Sequence, residues 1–264
     1  MSTTRPEAEN ETEANASGAI PPRTARRGPG PMLFGLLSIL ILAAVGFAIF
    51  AVRYHDSHNS IADLRATGVP SDVSTSLANL MALAPVPSRP APPFTLTDQH
   101  GRTLSLSSFR GHPVVLEFMD PHCTDICPLV SQEFVDAHRD LGEAGRGVVF
   151  LAINVNAYHR GVADVAAFSS EHDLDSISTW HFFTGPLASL RAVWASYGIA
   201  VQSRGPNADV IHSSIVFFID KSGHERFIAT PMDDHTKAGT AYLPANQLAS
   251  WGMGIALVAR DISA

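Results

Sequence analysis

Two cysteines and one distant histidine carry the chemistry that this 264-residue chain can offer. Cys123 and Cys127, its 2 cysteines, stand four residues apart in Asp120-Pro121-His122-Cys123-Thr124-Asp125-Ile126-Cys127-Pro128. A bridge between them closes so short a loop that it restricts the unfolded chain little, which points to chemistry rather than stabilisation. Two sulfurs at this spacing, across a loop that runs into a helix, can reach disulfide distance or converge on one metal ion. Soft thiolates select Cu(I), Zn(II) or iron–sulfur chemistry, and two of them alone satisfy Cu(I) but leave Zn(II) short of four ligands. The best third ligand is His212 in Asp209-Val210-Ile211-His212-Ser213-Ser214, just before an apolar run. A Cys2His set of Cys123, Cys127 and His212 suits copper, as Cu(I) or Cu(II), better than structural zinc. His122 is a candidate for tuning the site or accepting a proton. Asp120 and Asp125 read as solvated loop or capping residues, because carboxylates suit harder ions, and Met119 reads as core.

The elements that must position these residues follow from hydrophobic period and turn signals. A hairpin is expected at Phe94–Thr97 and Arg102–Leu106, then a buried strand at Val114–Phe118 that delivers the chain to the cysteines. Pro128 suits a first helical turn, so a helix is expected over Pro128–Leu141 with Cys127 at its N-terminus. There the helix dipole would favour a Cys127 thiolate. Further strands are expected at Val148–Ile153, Trp180–Phe183, Ile215–Asp220 and Glu225–Ile228. Helices are expected at Val162–His172, Leu187–Tyr197 and Leu243–Ile262. Strands alternating with helices imply an α/β domain whose central sheet is largely parallel and flanked by helices, with the last hairpin adding antiparallel strands. Function gathers outside the carboxyl ends of such strands, where the cysteine loop falls.

Upstream, residues 1–31 are rich in Glu, Pro and Gly without an apolar period and are expected to be a disordered tail. Residues 33–52 run about 20 positions without a charge, enough for one transmembrane helix across about 30 Å of hydrocarbon. Arg23, Arg26 and Arg27 before the span, against Arg53 and Arg65 after it, place the tail in the cytoplasm and the remainder outside the cell membrane. That side is oxidising, where a close dithiol can cycle. Residues 53–91 then read as a tether, with short helices expected at Ile61–Leu64 and Leu77–Leu83 and prolines that impose an extended approach. His55 and His58 read as solvated. The globular domain occupies residues 92–264. With 18 Lys+Arg against 25 Asp+Glu, the net charge of −7 argues against a nucleic-acid partner.

The motif His122-Cys123-Thr124-Asp125-Ile126-Cys127-Pro128, the distant Val210-Ile211-His212-Ser213 and the stretch Phe94–Gly101 together resemble the Sco/SenC family. That family consists of membrane-tethered thioredoxin-like copper proteins, and the resemblance spans about residues 92–232. It implies a thioredoxin-like fold and puts Cys123, Cys127 and His212 in the places of the family's copper ligands. It also implies a partner, the cytochrome c oxidase subunit that carries the binuclear copper site, to which copper is delivered or whose cysteines are reduced. The chain departs from the pattern at three places. Asn154-Val155-Asn156-Ala157-Tyr158-His159 replaces an acidic, proline-containing segment, Ile211 replaces an acidic residue, and Ala208 replaces an aromatic one.

Two other functions use the same residues. A thiol–disulfide oxidoreductase would use the Cys123/Cys127 dithiol without metal, although reductants of the thioredoxin type carry one residue fewer between the cysteines. A redox or copper sensor, or an interaction module, would use the site for signalling. A peroxiredoxin site needs Pro-x-x-x-Thr-x-x-Cys. Thr124 is correctly placed before Cys127, but residue 120 is Asp. Neither a phosphate-binding glycine loop nor a nucleophile elbow is present.

Overall fold

The computed structural model describes residues 68–264. The expected tail at 1–31, the expected membrane span at 33–52 and the first part of the tether lie outside the described residues. Among those described, no helix is long and apolar enough to cross a membrane.

A six-stranded sheet forms the centre. Its strands are β1 (Ala84–Pro90), β4 (Val114–Met119), β5 (Val149–Asn154), β6 (Trp180–Phe183), β9 (Val216–Ile219) and β10 (His224–Ala229). They lie in the order β1-β10-β9-β4-β5-β6. β4, β5 and β6 run parallel, whereas β1, β10, β9 and β4 pair antiparallel. The sheet is therefore mixed, as expected of a thioredoxin-like domain, and less parallel than the alternation of elements suggested. The final strands and β1 account for the difference.

β4 has alternate side chains on the two faces, as the two-residue period of a strand dictates. Val115 and Met119 join one buried cluster, while Val114, Leu116 and Phe118 join the other. The first face is covered by α2 (Ile126–Leu141) and α5 (Ala245–Asp261), with Phe134, Trp251 and Ile255 fully buried there. α3 (Val162–Glu171) adds Val165 and Phe168 to the same layer. The second face is covered by α4 (Leu187–Ser196), through Leu190, Val193 and Trp194. Met119 is core, as expected. The final helix is mainly a packing element, although Met253 is 46% exposed and does not belong to the core.

The expected tether needs correction. Its described part contains α1 (Thr75–Leu80), capped by the Ser74 hydroxyl accepting from the Leu77 N–H at 3.2 Å, and then β1. Leu77, Ala78, Met81 and Leu83 are buried in the main core, so this segment belongs to the domain that was expected to begin at residue 92. The prolines at 85, 87 and 90 read as linker because they cannot donate to a ladder. On an edge strand their missing N–H groups cost nothing. β1 is such an edge, and the Arg89 guanidinium ties it to the buried Glu225 carboxylate at 2.6 Å.

Three small hairpins complete the domain. β2 (Thr95–Thr97) and β3 (Thr103–Ser105) pair where the sequence pattern placed them. β7 (Val201–Ser203) with β8 (Val210–His212), and β11 (Asp234–His235) with β12 (Ala241–Tyr242), gave no such pattern, being only two or three residues long.

Candidate metal centre

The cysteine loop leaves the carboxyl end of β4 and enters α2. The helix begins at Ile126, two residues before the expected start, so Cys127 and Pro128 both lie in its first turn. Proline is tolerated there because a first-turn N–H has no partner within the helix. Ser131 holds the turn by donating from its hydroxyl to the Cys127 carbonyl at 2.8 Å.

The two sulfurs are unlike. Cys127 is 2% exposed and belongs to the main core cluster, whereas Cys123 is half-buried at the rim. The Cys123 sulfur accepts from the Asp125 N–H at 3.4 Å and from the Cys127 N–H at 3.5 Å. The thiol of Cys127, hydrogen-bonded to Cys123, holds the Cys123 pKa below its ordinary value; burial opposes this, and the two N–H donors reinforce it. The same thiol–thiol bond, with burial and the neighbouring Cys123 charge, pushes Cys127 well above its ordinary value. Ionisation, expected to be favoured at Cys127, is therefore favoured at Cys123 instead. The dipole argument placed Cys127 correctly at a helix start but ignored its burial, and desolvation of an inward-facing thiol opposes ionisation.

Asp120 is also corrected. It is 3% exposed rather than solvated, and its Oδ1 accepts from the His122 N–H and the Asn156 side-chain amide, each at 2.9 Å. It pins the end of β4 to the loop after β5, and its charge opposes ionisation of both thiols. Asp125 precedes α2 but makes no capping bond, and its Oδ1 instead accepts from His235 Nε2 at 2.9 Å. This contact attaches the β11–β12 hairpin to the cysteine loop.

His212 closes β8, and the chain passes directly into β9, the neighbour of β4 in the sheet. That adjacency brings a residue from far along the chain to the cysteine loop. His212 Nδ1 donates to the Ser213 carbonyl at 3.0 Å, which leaves Nε2 as the nitrogen with a free lone pair. Burial lowers the His212 pKa and favours the neutral ring, against the opposing pull of the Ser213 carbonyl and Asp120. Cys123 and His212 line one cavity of about 430 Å³, together with Asp120, Asp125 and Ile211. Cys127 lies behind Cys123, outside that lining. The structure thus joins Cys123 to Cys127 by a hydrogen bond and to His212 by a shared cavity. Among the described residues, the groups of three donors within 4.8 Å of one another are His122, His159 and Asp164, and Asp125, Asp233 and His235. The two sulfurs and His212 are not such a group.

Sequence reasoning missed two buried acids beneath the site. Glu117 of β4 faces α2, and its Oε1 accepts from the Ser214 hydroxyl and the Ile215 N–H, each at 3.2 Å, while Oε2 has no partner. Burial raises its pKa to about 8. Glu133 of α2 is fully buried with neither oxygen bonded, and burial, then the Glu117 and Asp136 charges, raise its pKa well above the ordinary range. Glu117 interrupts an otherwise apolar strand, a signal visible in Val114–Met119. Glu133 reads as an ordinary surface position of a helix and gave none.

The SCO1/SenC family model matches residues 85–242, more than half of the chain. An SCO1 protein homologue of Bacillus subtilis (strain 168) is 26% identical over 149 residues, covering 54% of this chain and 77% of that protein. A chloroplastic peroxiredoxin Q of Sedum lineare is 39% identical over 72 residues, which are 27% of this chain and 39% of that protein. A structure of Bradyrhizobium japonicum ScoI with copper bound aligns at a TM-score of 0.47 with 23% identity, over 52% of this chain and 87% of that one. The match begins at β1, in agreement with the placement of that strand inside the domain, and the chain belongs to the SCO1/SenC family.

Proposed function

We propose that this chain binds copper through Cys123, Cys127 and His212 and delivers it to the binuclear copper site of cytochrome c oxidase. One observation carries the reading: Cys123, whose pKa is held below its ordinary value, shares a cavity with His212, whose burial favours the neutral ring and whose Nδ1 bond leaves Nε2 with its lone pair. Two thiolates and an imidazole match the preference of copper for soft and borderline donors. The half-buried Cys123 provides an accessible ligand, and the low coordination number suits transfer by ligand exchange. Gathering all three donors requires His212 and the half-buried Cys123 to close on each other across the cavity they share. The charge-free run at residues 33–52 supports a membrane anchor for this function, with the domain on the extracytoplasmic side. To test this, the full-length chain is reduced, loaded with one equivalent of Cu(I) and mixed with the copper-free acceptor subunit. Copper is expected to pass to the acceptor, and copper that stays on this chain would contradict the reading.

A thiol–disulfide exchange function is favoured by the division of labour between the sulfurs. The Cys123 thiolate attacks a partner disulfide, forming a mixed disulfide and releasing one partner thiolate. Cys127 then passes its proton to the partner thiolate already released and attacks the Cys123 sulfur, closing the intramolecular disulfide and releasing the second partner thiolate. The two electrons pass from the dithiol to the partner. A dithiol that reduces the acceptor's disulfide while binding no copper would establish this reading in place of delivery.

A further inference from the structure

A second donor cluster lies on the other side of Cys123 from His212. His122 and His159 stack with ring centroids 3.8 Å apart and an interplanar angle of 25°. His122 Nε2 lies 3.4 Å from Asp164 Oδ1, and donor atoms of all three residues lie within 4.8 Å of one another. A tetrahedral ion with metal–ligand bonds of about 2.0–2.1 Å keeps its ligand atoms about 3.3–3.4 Å apart, so the His122–Asp164 separation already matches one edge of such a site.

Each donor is oriented by a bond behind it, as metal ligands commonly are. His159 Nε2 donates to the Pro206 carbonyl at 2.8 Å, leaving Nδ1 with its lone pair. The His159 N–H donates to Asn156 Oδ1 at 2.9 Å. Asp164 Oδ2 accepts from the Gly161 N–H at 2.8 Å, which leaves Oδ1 directed at His122. The His122 backbone is fixed through Asp120. The His122 side chain is 48% exposed, so the cluster is open to solvent. Parallel rings do not aim their lone pairs at one point, so binding requires the exposed His122 ring to turn out of the stack.

We propose that His122, His159 and Asp164 form a second metal site for a divalent first-row transition ion, Cu(II) or Zn(II). Two imidazoles and a carboxylate are borderline-to-hard donors that suit such divalent ions better than the softer Cu(I). Cys123 follows His122 in the chain and lines the same cavity of about 540 Å³, together with Asp164. The inference does not depend on copper binding at the thiolates.

The test uses the full-length chain carrying Cys123→Ser and Cys127→Ser, titrated with Cu(II) and, separately, Zn(II). One equivalent of Cu(II) is expected to bind, with an electron paramagnetic resonance spectrum showing coordinated imidazole nitrogens. Adding His122→Ala or His159→Ala should weaken binding at least tenfold for both ions, whereas His212→Ala and His235→Ala should leave it unchanged. Circular dichroism confirms that each variant is folded, and His122→Ala removes an exposed ring without touching the core. The site would be overturned by equal affinity in the chains with and without His122, or by loss of the ion on His235→Ala.

Discussion

At the scale of single residues, the two cysteines divide into a half-buried thiol of lowered pKa, Cys123, and a buried thiol of raised pKa, Cys127. Iodoacetamide should therefore alkylate Cys123 of the reduced chain well before Cys127 near neutral pH, with peptide mass spectrometry reporting the order. The Cys127 thiol is the largest influence holding Cys123 below its ordinary pKa, so Cys127→Ala should move the pH midpoint of Cys123 alkylation upward and slow the reaction near neutrality. A midpoint that falls or stays in place would show that another group stabilises the thiolate. These roles were only half legible in the sequence. The spacing of Cys123, Cys127 and Pro128 located the helix start, but a linear motif does not show which sulfur faces inward. His212 was legible as a strand-adjacent candidate, whereas its Ser213 bond and the His122–His159–Asp164 cluster depend on loops meeting across the fold.

At the scale of elements, the buried strands and long helices were legible because their apolar runs are continuous or periodic. β1 was not, since its proline content masked an edge strand, whereas the short helix expected at Leu77–Leu83 is present as α1, shifted toward Thr75–Leu80. The antiparallel pairing of β4 with β9 matters for function because that adjacency sets His212 beside the cysteine loop. The packing of α2 against α5 fixes the helix that carries Cys127. Gly252 permits this close approach: a Cβ added there would sit 2.6 Å from Asp136 Cβ and 3.2 Å from the Ala137 nitrogen. Gly252→Ala should therefore destabilise the domain by about 1–3 kcal/mol through overpacking, read as a lower urea midpoint. An unchanged midpoint would mean that the two helices separate at little cost.

At the scale of the whole molecule, burying Glu117 and Glu133 links stability to pH. Unfolded carboxyls titrate near about 4.3. In the fold Glu117 titrates at about 8 and Glu133 is also raised, so the folded state keeps protons that the unfolded state has lost. Stability contributed by these neutral acids is full below the unfolded pKa and falls as pH rises toward 8. The urea midpoint should decline between about pH 5 and 8, and Glu117→Gln should reduce that decline and give the more stable protein at pH 8. A steeper decline in the variant would contradict the assignment. These acids lie directly beneath the helix and strand that bear the site, so the same scaffold that is sensitive to pH presents the sulfurs. Whether those sulfurs and a distant imidazole act as one metal site is decided most directly by an anaerobic Cu(I) competition titration of the reduced full-length chain. One equivalent of Cu(I) should bind, Cys123→Ala or Cys127→Ala should weaken binding strongly, and His212→Ala should weaken it measurably, whereas undiminished affinity in the His212 variant would contradict the proposed centre.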